Sequence, residues 1–157
     1  MTNYYLRQQL DSAIEEINSG SCSVAKGILE PLIRLLVPEA IYLYSTFSVA
    51  DSESDADFEM RSVSLLNDAA MLGYAPAMYA LGTHYESGDV IDRDMNRAEI
   101  LFSSAAAQGH MRSKFRYGLI LLDDQRENSR DKAKSLIREA AEGGVEDAAD
   151  FLKELEQ

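Results

Sequence analysis

The stretch AMYALGTHYESGDVIDRDMNRAEILFSSAAAQG, residues 77–109, has the pattern of two helices joined by a turn. Its first half places Ala77, Leu81 and Tyr85 four residues apart, the spacing of one helix face, before Gly88 ends the helix. A second apolar face then runs up to a terminating glycine; its members are Ala98, Leu101, Phe102, Ala105 and Ala106. Since neither helix can bury its apolar face alone, we expect the pair to stack on neighbouring pairs.

The same pattern recurs along the chain at intervals of about 36 residues. A column of small residues consists of Ala25, Ser62, Ala98 and Ala133. An apolar column three positions later consists of Ile28, Leu65, Leu101 and Leu136. Terminating glycines stand at Gly73, Gly109 and Gly144, whereas the corresponding position of the first copy is Leu36. The repetition predicts an all-α solenoid of about four helix-turn-helix repeats with a C-terminal capping helix.

This register predicts one domain over residues 1–157 and nine helices within it. The domain comprises a degenerate first pair at 1–36, pairs at 37–73, 74–109 and 110–144, and a capping helix at 145–157. The helices are expected over residues 3–18, 22–36, 38–49, 58–72, 76–87, 95–108, 111–123, 130–142 and 145–156. Asp94 is expected to cap the second helix of the third pair. The acidic segment at 51–57 is expected to be a mobile loop, because it lacks apolar periodicity.

The charge balance restricts the class of partner. Fifteen Lys and Arg residues against twenty-seven Asp and Glu residues give a formal net charge of −12. A surface this acidic repels nucleic acid and anionic membranes, and it suits a basic protein partner. Simple solubility is the alternative explanation of the same charge.

The chain offers few signals for secretion, membrane insertion or cysteine chemistry. Cys22 is its one cysteine, which excludes an internal disulfide and a cysteine-based zinc site. The N-terminal residues do not form a basic region followed by an apolar run, and no apolar stretch approaches the roughly 18 residues that a membrane span requires. We therefore expect a cytoplasmic location.

The third helix pair resembles the Sel-one-like repeat, a relative of the tetratricopeptide repeat. The residues that match the pattern of that family are Ala77, Tyr79, Leu81, Gly82, Tyr85, Gly88, Ile91, Asp94, Arg97, Ala98, Ala105, Ala106 and Gly109. Val90 departs from it, where a second loop glycine is usual. The fourth pair matches less fully, and the resemblance is specific over residues 69–149. It implies a right-handed superhelix that acts as a scaffold or adaptor for another protein, and it does not imply a catalyst.

The sequence contains no convincing catalytic or metal-binding constellation. His84 and His110 are the only histidines, and their 26-residue separation is not a ligand spacing. His110 follows a helix terminator, where a positive imidazolium would interact favourably with the dipole of the preceding helix. Cys22 has only Lys26 as a basic neighbour in the sequence, which does not favour a nucleophile. We therefore expect no catalytic residue, no metal and no cofactor.

An aromatic column provides the clearest candidate for a partner-binding surface. Tyr42, Tyr79 and Phe115 hold the same position in successive first helices, and aromatic anchors often dominate protein interfaces. The same face carries Thr46, Thr83, Glu86, Leu119 and Leu122. The alternative is that these rings pack between repeats. The run at 117–122 is apolar on nearly all sides, so an exposed part would suit a partner or a second copy of the chain.

Two functions remain open from the sequence. The more specific one is an immunity or inhibitor protein that blocks a basic toxin such as a nuclease, which an acidic surface attracts by electrostatic steering. The other is a cytoplasmic adaptor or scaffold in signalling or complex assembly. An enzyme is disfavoured, because the candidate catalytic residues form no recognisable arrangement.

Overall fold

A computed structural model describes residues 2–48, 53–123 and 129–155. These residues form nine helices and no strand, so the predicted all-α solenoid fold is confirmed. The helices are α1 (Thr2–Asn18), α2 (Cys22–Arg34), α3 (Pro38–Tyr44), α4 (Asp55–Met71), α5 (Ala75–Ser87), α6 (Met95–Ala107), α7 (Met111–Asp123), α8 (Ser129–Glu142) and α9 (Glu146–Leu155).

The second pair differs most from the sequence-based expectation. Helix α3 ends at Tyr44 and not at residue 49, because the hydroxyls of Ser45 and Thr46 bond the carbonyls of Tyr42 and Leu43 and close the helix end. Helix α4 starts at Asp55, earlier than expected. The predicted loop at 51–57 is therefore wrong for residues 55–57, while residues 51 and 52 lie outside the described part of the chain.

Local chemistry explains the early start of α4. The hydroxyl of Ser54 accepts a hydrogen bond from the backbone N–H of Asp57 at 3.2 Å. Asp55 and Asp57 occupy the first turn, where carboxylates are stabilised by the positive end of the helix dipole. Asp94 caps α6 in the same way, by accepting from the N–H of Arg97 at 3.0 Å, as the sequence predicted.

The turns that join one pair to the next share a single backbone geometry. Gly73, Gly109 and Gly144 have φ angles of 87°, 88° and 87°, in the left-handed region that glycine adopts without strain. Leu36 occupies the same position of the first copy with φ 55°. A side chain in this conformation costs about 1 kcal/mol, so the first turn keeps a leucine at the expense of stability.

The chain divides into two compact units, Met1–Ala77 and Met78–Gln157. In the first unit, a core from α1 to α3 is formed by Leu10, Ala13, Ala25, Leu29, Leu32, Ala40 and Phe47. In the second unit, a core from α7 to α9 is formed by Phe115, Ile137, Ala140 and Ala148. Of the small column, Ala25, Ala98 and Ala133 are fully buried, whereas the members of the apolar column are only partly buried.

Candidate functional site

A groove in the second unit brings together two of the predicted binding residues, Tyr79 and Phe115. It lies where α7 and the start of α9 meet Tyr79 of α5, and it encloses about 470 Å³. Its lining consists of Tyr79, Arg112, Phe115, Arg116, Gly144, Val145, Glu146 and Asp147. We call it the α7–α9 groove.

Two aromatic rings line the groove and also pack into the protein. The ring of Tyr79 lies 5.9 Å from that of Phe102 and 5.1 Å from that of His110, measured between centroids. Phe115 is only 8% exposed, and its ring meets that of Phe151 at 6.1 Å. Such contacts fix the rings in position, so any binding partner meets pre-organised aromatic surface.

The charged side chains of the groove are divided between its two walls. On α7, Arg116 is paired with Glu86, whereas Arg112 is exposed and has no ion pair or hydrogen bond with any residue that the structure describes. Glu146 and Asp147 are exposed in the first turn of α9, where the helix dipole favours carboxylates. The groove thus presents an unpaired guanidinium on one wall and two carboxylates on the other.

His110 is a structural cap beside the groove. Its Nδ1 accepts the backbone N–H of Ser113 at 3.3 Å and lies 2.8 Å from the Ser113 hydroxyl, at the start of α7. Burial, and secondarily the charge of Arg112, lowers the pKa of the imidazole. The ring therefore acts as a hydrogen-bond acceptor for the following helix, and its lowered pKa disfavours the imidazolium that would suit the end of the preceding helix.

The other predicted residues of the second unit have different surroundings. Leu119 and Leu122 are partly buried and pack against the core that contains Phe115 and Ile137. Thr83 is exposed, and its hydroxyl donates to the carbonyl of Tyr79 at 3.0 Å. The partner-binding role of these residues stays a prediction.

Tyr42 and Thr46 belong to the first unit. The rings of Tyr42 and Tyr74 stand 5.4 Å apart. Burial, with a smaller contribution from Glu39, raises the pKa of Tyr74 to about 12, so this phenol is neutral at physiological pH. Thr46 is exposed. Of the predicted residues, the structure brings three together in the second unit. Tyr79 and Phe115 line the α7–α9 groove, and Glu86 forms an ion pair with Arg116, which also lines it.

Sequence reasoning missed the charged lining of the groove. Arg112 and Arg116 are four residues apart on α7 and bracket Phe115, so their helical spacing could have placed them on one face. Glu146 and Asp147 had no such signal, since only tertiary packing brings the start of α9 to α7.

The described residues carry neither a metal-binding cluster nor a membrane span. No group of three or more His, Cys, Asp or Glu side chains in residues 2–48, 53–123 and 129–155 is arranged to hold a metal ion. Among the helices described here, none has both the length and the apolar character needed to cross a bilayer.

Comparison with known families identifies the repeat. Residues 75–110 and 112–145 match the model of the Sel1 repeat, as the resemblance in the third and fourth pairs predicted. Proteins with this repeat are protein–protein interaction modules and are generally non-enzymatic scaffolds. A search of curated protein sequences gave no match.

Solved structures show the same fold. A Sel1 repeat protein from Oxalobacter formigenes aligns with a TM-score of 0.76 and 22% identity over 92% of this chain and 57% of its own. The protective antigen c5321 of uropathogenic Escherichia coli, which has an SLR fold, aligns with a TM-score of 0.69 and 17% identity over 83% of this chain and 28% of its own. Helicobacter pylori cysteine rich protein B aligns with a TM-score of 0.60 and 17% identity over 84% of this chain and 95% of its own. This chain therefore spans less than two thirds of the first two proteins.

Proposed function

Because residues 75–110 and 112–145 of this chain are Sel1 repeats, we propose that the protein is a non-catalytic binding module that neutralises a basic toxin, such as a nuclease, in the cytoplasm. The observation that carries this proposal is the net charge of −12 on a protein-binding fold. An excess of negative charge raises the rate at which a basic protein is captured, and it does so without any dedicated contact.

The α7–α9 groove supplies the proposed anchoring surface. Tyr79 and Phe115 form rigid apolar surface, and Glu86, Glu146 and Asp147 supply carboxylates at or beside the groove. A basic side chain of the partner would meet these carboxylates while its alkyl stem covers the rings. In the second unit the proposed partner-binding residues are Tyr79, Thr83, Glu86, Phe115, Leu119 and Leu122, and in the first unit they are Tyr42 and Thr46, each unit taken by itself.

The toxin hypothesis is tested with the products of the genes that neighbour this one. Each product is expressed in a bacterial host with and without the chain, and growth is measured. Restored growth with one toxic product, together with a purified complex whose affinity falls as salt rises, supports the proposal. Absence of any protected product contradicts it.

Charge variants of the groove identify the kind of group that it binds. For a basic partner, Arg112→Glu should tighten binding, whereas Glu146→Lys plus Asp147→Lys should weaken it by about tenfold or more. All three side chains are exposed and are not needed for packing, so the variants should fold normally. An unchanged affinity for both variants would exclude the groove as the site.

One observation favours a second function, that of a cytoplasmic adaptor. Arg112 is an unpaired guanidinium in the groove of an acidic protein, and it fits a carboxylate of a signalling or assembly partner. For such an acidic partner the expected effects of the variants are opposite. Arg112→Glu should weaken binding, and Glu146→Lys plus Asp147→Lys should tighten it.

A further inference from the structure

The first unit carries an apolar surface that shares no residue with the α7–α9 groove. Leu35, Leu36, Met71 and Leu72 are 74%, 64%, 80% and 44% exposed at the turn after α2 and the end of α4. Three of them, Leu36, Met71 and Leu72, line a depression of about 370 Å³ together with Ile33, Ile41, Leu65 and Asp68. We call this surface the turn patch.

The repeat itself shows that the turn does not require apolar side chains. The positions of Leu35 and Leu36 correspond to Gln108 and Gly109 in the third pair and to Gly143 and Gly144 in the fourth. The later turns have the same hydrogen bonds, for example from the N–H of His110 to the carbonyl of Ala105, as the turn at Leu36 has from Val37 to Leu32. Turn geometry therefore does not account for the leucines of the first turn.

The backbone at Leu36 strengthens this argument. Its φ of 55° is one that glycine adopts freely and leucine does not, and the side chain is left in solvent. In the isolated chain the backbone strain lowers stability, and burial of the Leu36 side chain does little to offset it. A contact that buries Leu36 would offset the strain, since exposed apolar surface of this kind marks interaction sites.

Charges beside the turn patch indicate what covers it. Arg34 directly precedes Leu35, and Asp68 lines the depression. Both are exposed, and neither is paired with any side chain in the described ranges. The unpaired anion lines the depression, and the unpaired cation directly precedes Leu35 in the chain. This combination suits a second copy of the same surface, because a twofold axis can bring each charge opposite the other.

We propose that the turn patch is the isologous interface of a homodimer, in which Leu36 and its apolar neighbours are buried and Arg34 of one copy pairs with Asp68 of the other. A uniformly basic partner fits this surface less well, since Arg34 would repel it. The net charge of −12 on each copy opposes association at low salt. The dimer therefore tightens as salt screens that repulsion, whereas a complex with a basic partner weakens.

Sedimentation velocity on the purified full chain tests the dimer directly. Over a range from about 1 to 300 μM, the wild type should shift from monomer to dimer, and the dissociation constant should fall when sodium chloride is raised from about 20 to 300 mM. A chain that stays monomeric across this range at both salt concentrations overturns the proposal.

Charge exchange identifies the interface. Arg34→Asp alone and Asp68→Arg alone each place like charges opposite one another twice, and each should weaken self-association by about tenfold or more. A mixture of the two variants should form a heterodimer with nearly wild-type affinity. In this heterodimer the aspartate introduced at position 34 of one variant faces the arginine introduced at position 68 of the other. The native Asp68 of the first variant faces the native Arg34 of the second. A mixture no tighter than the single variants overturns the twofold arrangement.

A variant that removes the leucines of the turn patch distinguishes an effect on self-association from an effect on folding. Leu35→Gln plus Leu36→Gly reproduces the turn of the third pair, so it should fold at least as stably as the wild type while weakening the dimer by at least about tenfold. Ile100→Gln is the matched control, since Ile100 is also 64% exposed but lies on α6 in the other unit. Equal effects of the two variants on self-association overturn the assignment.

These measurements use the chain alone and are independent of the toxin hypothesis. Failure of dimerisation leaves the groove proposal intact, and failure of toxin protection leaves the turn patch intact. The apolar run at 117–122, which the sequence suggested as a surface for a second copy, is not part of this interface; its Leu119 and Leu122 pack against the core of the second unit.

Discussion

The guanidinium of Arg61 forms a bidentate ion pair with the carboxylate of Glu53. Nε lies 2.6 Å from Oε1, and Nη2 lies 3.1 Å from Oε2. The same guanidinium donates to the carbonyls of Tyr44 at 3.1 Å and Phe47 at 2.9 Å, so it ties the end of α3 to the start of α4. The side chains of Arg61 and Glu53 are 22% and 9% exposed.

Removal of this clamp should destabilise the first unit. Arg61→Ala removes the counter-charge of a largely buried carboxylate, which still accepts a hydrogen bond from the Ser48 hydroxyl at 2.8 Å, and it takes a donor from two carbonyls. We expect the free energy of unfolding to fall by about 3 kcal/mol. Arg61→Lys retains the charge but lacks the planar fork, and it should lose roughly half as much. Urea unfolding followed by circular dichroism measures both; equal stability of the wild type and Arg61→Ala would contradict the role of the clamp.

Gly118 marks a close approach of α7 to α8. A Cβ at this position would lie 2.7 Å from Cγ1 of Ile137 and 3.2 Å from the carbonyl oxygen of Ala133. Gly118→Ala should therefore lower the free energy of unfolding by about 1–3 kcal/mol, despite the better helix propensity of alanine. Gly27→Ala is the control, because Gly27 lies within α2 with nothing within 4 Å of its Cβ position, and it should gain about 0.5–1 kcal/mol. Urea midpoints of the two variants should move in opposite directions.

The left-handed turn of the first pair should respond to glycine. We expect Leu36→Gly to raise the free energy of unfolding by about 0.5–1 kcal/mol, since relief of strain exceeds the entropy that glycine adds to the unfolded chain. Gly109→Ala, at the equivalent turn with φ 88°, should lower it by about 1 kcal/mol. Thermal unfolding at low protein concentration, where self-association does not contribute, measures both changes; a loss of stability in Leu36→Gly would refute the strain.

The cap at His110 predicts a pH dependence. Because the pKa of the folded imidazole is lowered, the unfolded chain takes up its proton first as the pH falls below about 6.5. The stability that neutral His110 contributes is present above that pH and is lost as the pH falls toward the folded pKa. The neighbours that face the imidazole are Arg112, in the first turn of α7, and the ring of Tyr79.

His110→Asn provides the comparison for this effect, since asparagine also caps helices but does not titrate. Between pH 7.5 and 5.5, the free energy of unfolding should fall more steeply in the wild type than in the variant. Guanidinium unfolding at fixed ionic strength measures the slopes, and the range lies above the titration of ordinary carboxylates. Parallel slopes would show that His110 is not the titrating group.

The candidate site could be predicted only in part. Tyr79 and Phe115 followed from their column in the repeat, and Glu86 from its place on the same helix. How deeply these side chains are buried was not predictable, because helical periodicity gives the direction of a side chain but not the neighbours that cover it. Phe115 proved to be 8% exposed because Phe151 of α9 packs on it.

The amino-acid sequence by itself determined the order of the helices, most of their ends and their terminators; the end of α3 and the start of α4 are the exceptions. Those features depend on interactions within a few residues: apolar spacing, capping by Asp94, and glycine at left-handed turns. Tertiary structure alone decided which distant residues meet. It paired Arg116 with Glu86, brought the carboxylates of α9 opposite Arg112, and exposed the leucines of the turn patch. These contacts join residues that are far apart in the chain, and local periodicity carries no information on how separate helices pack against one another.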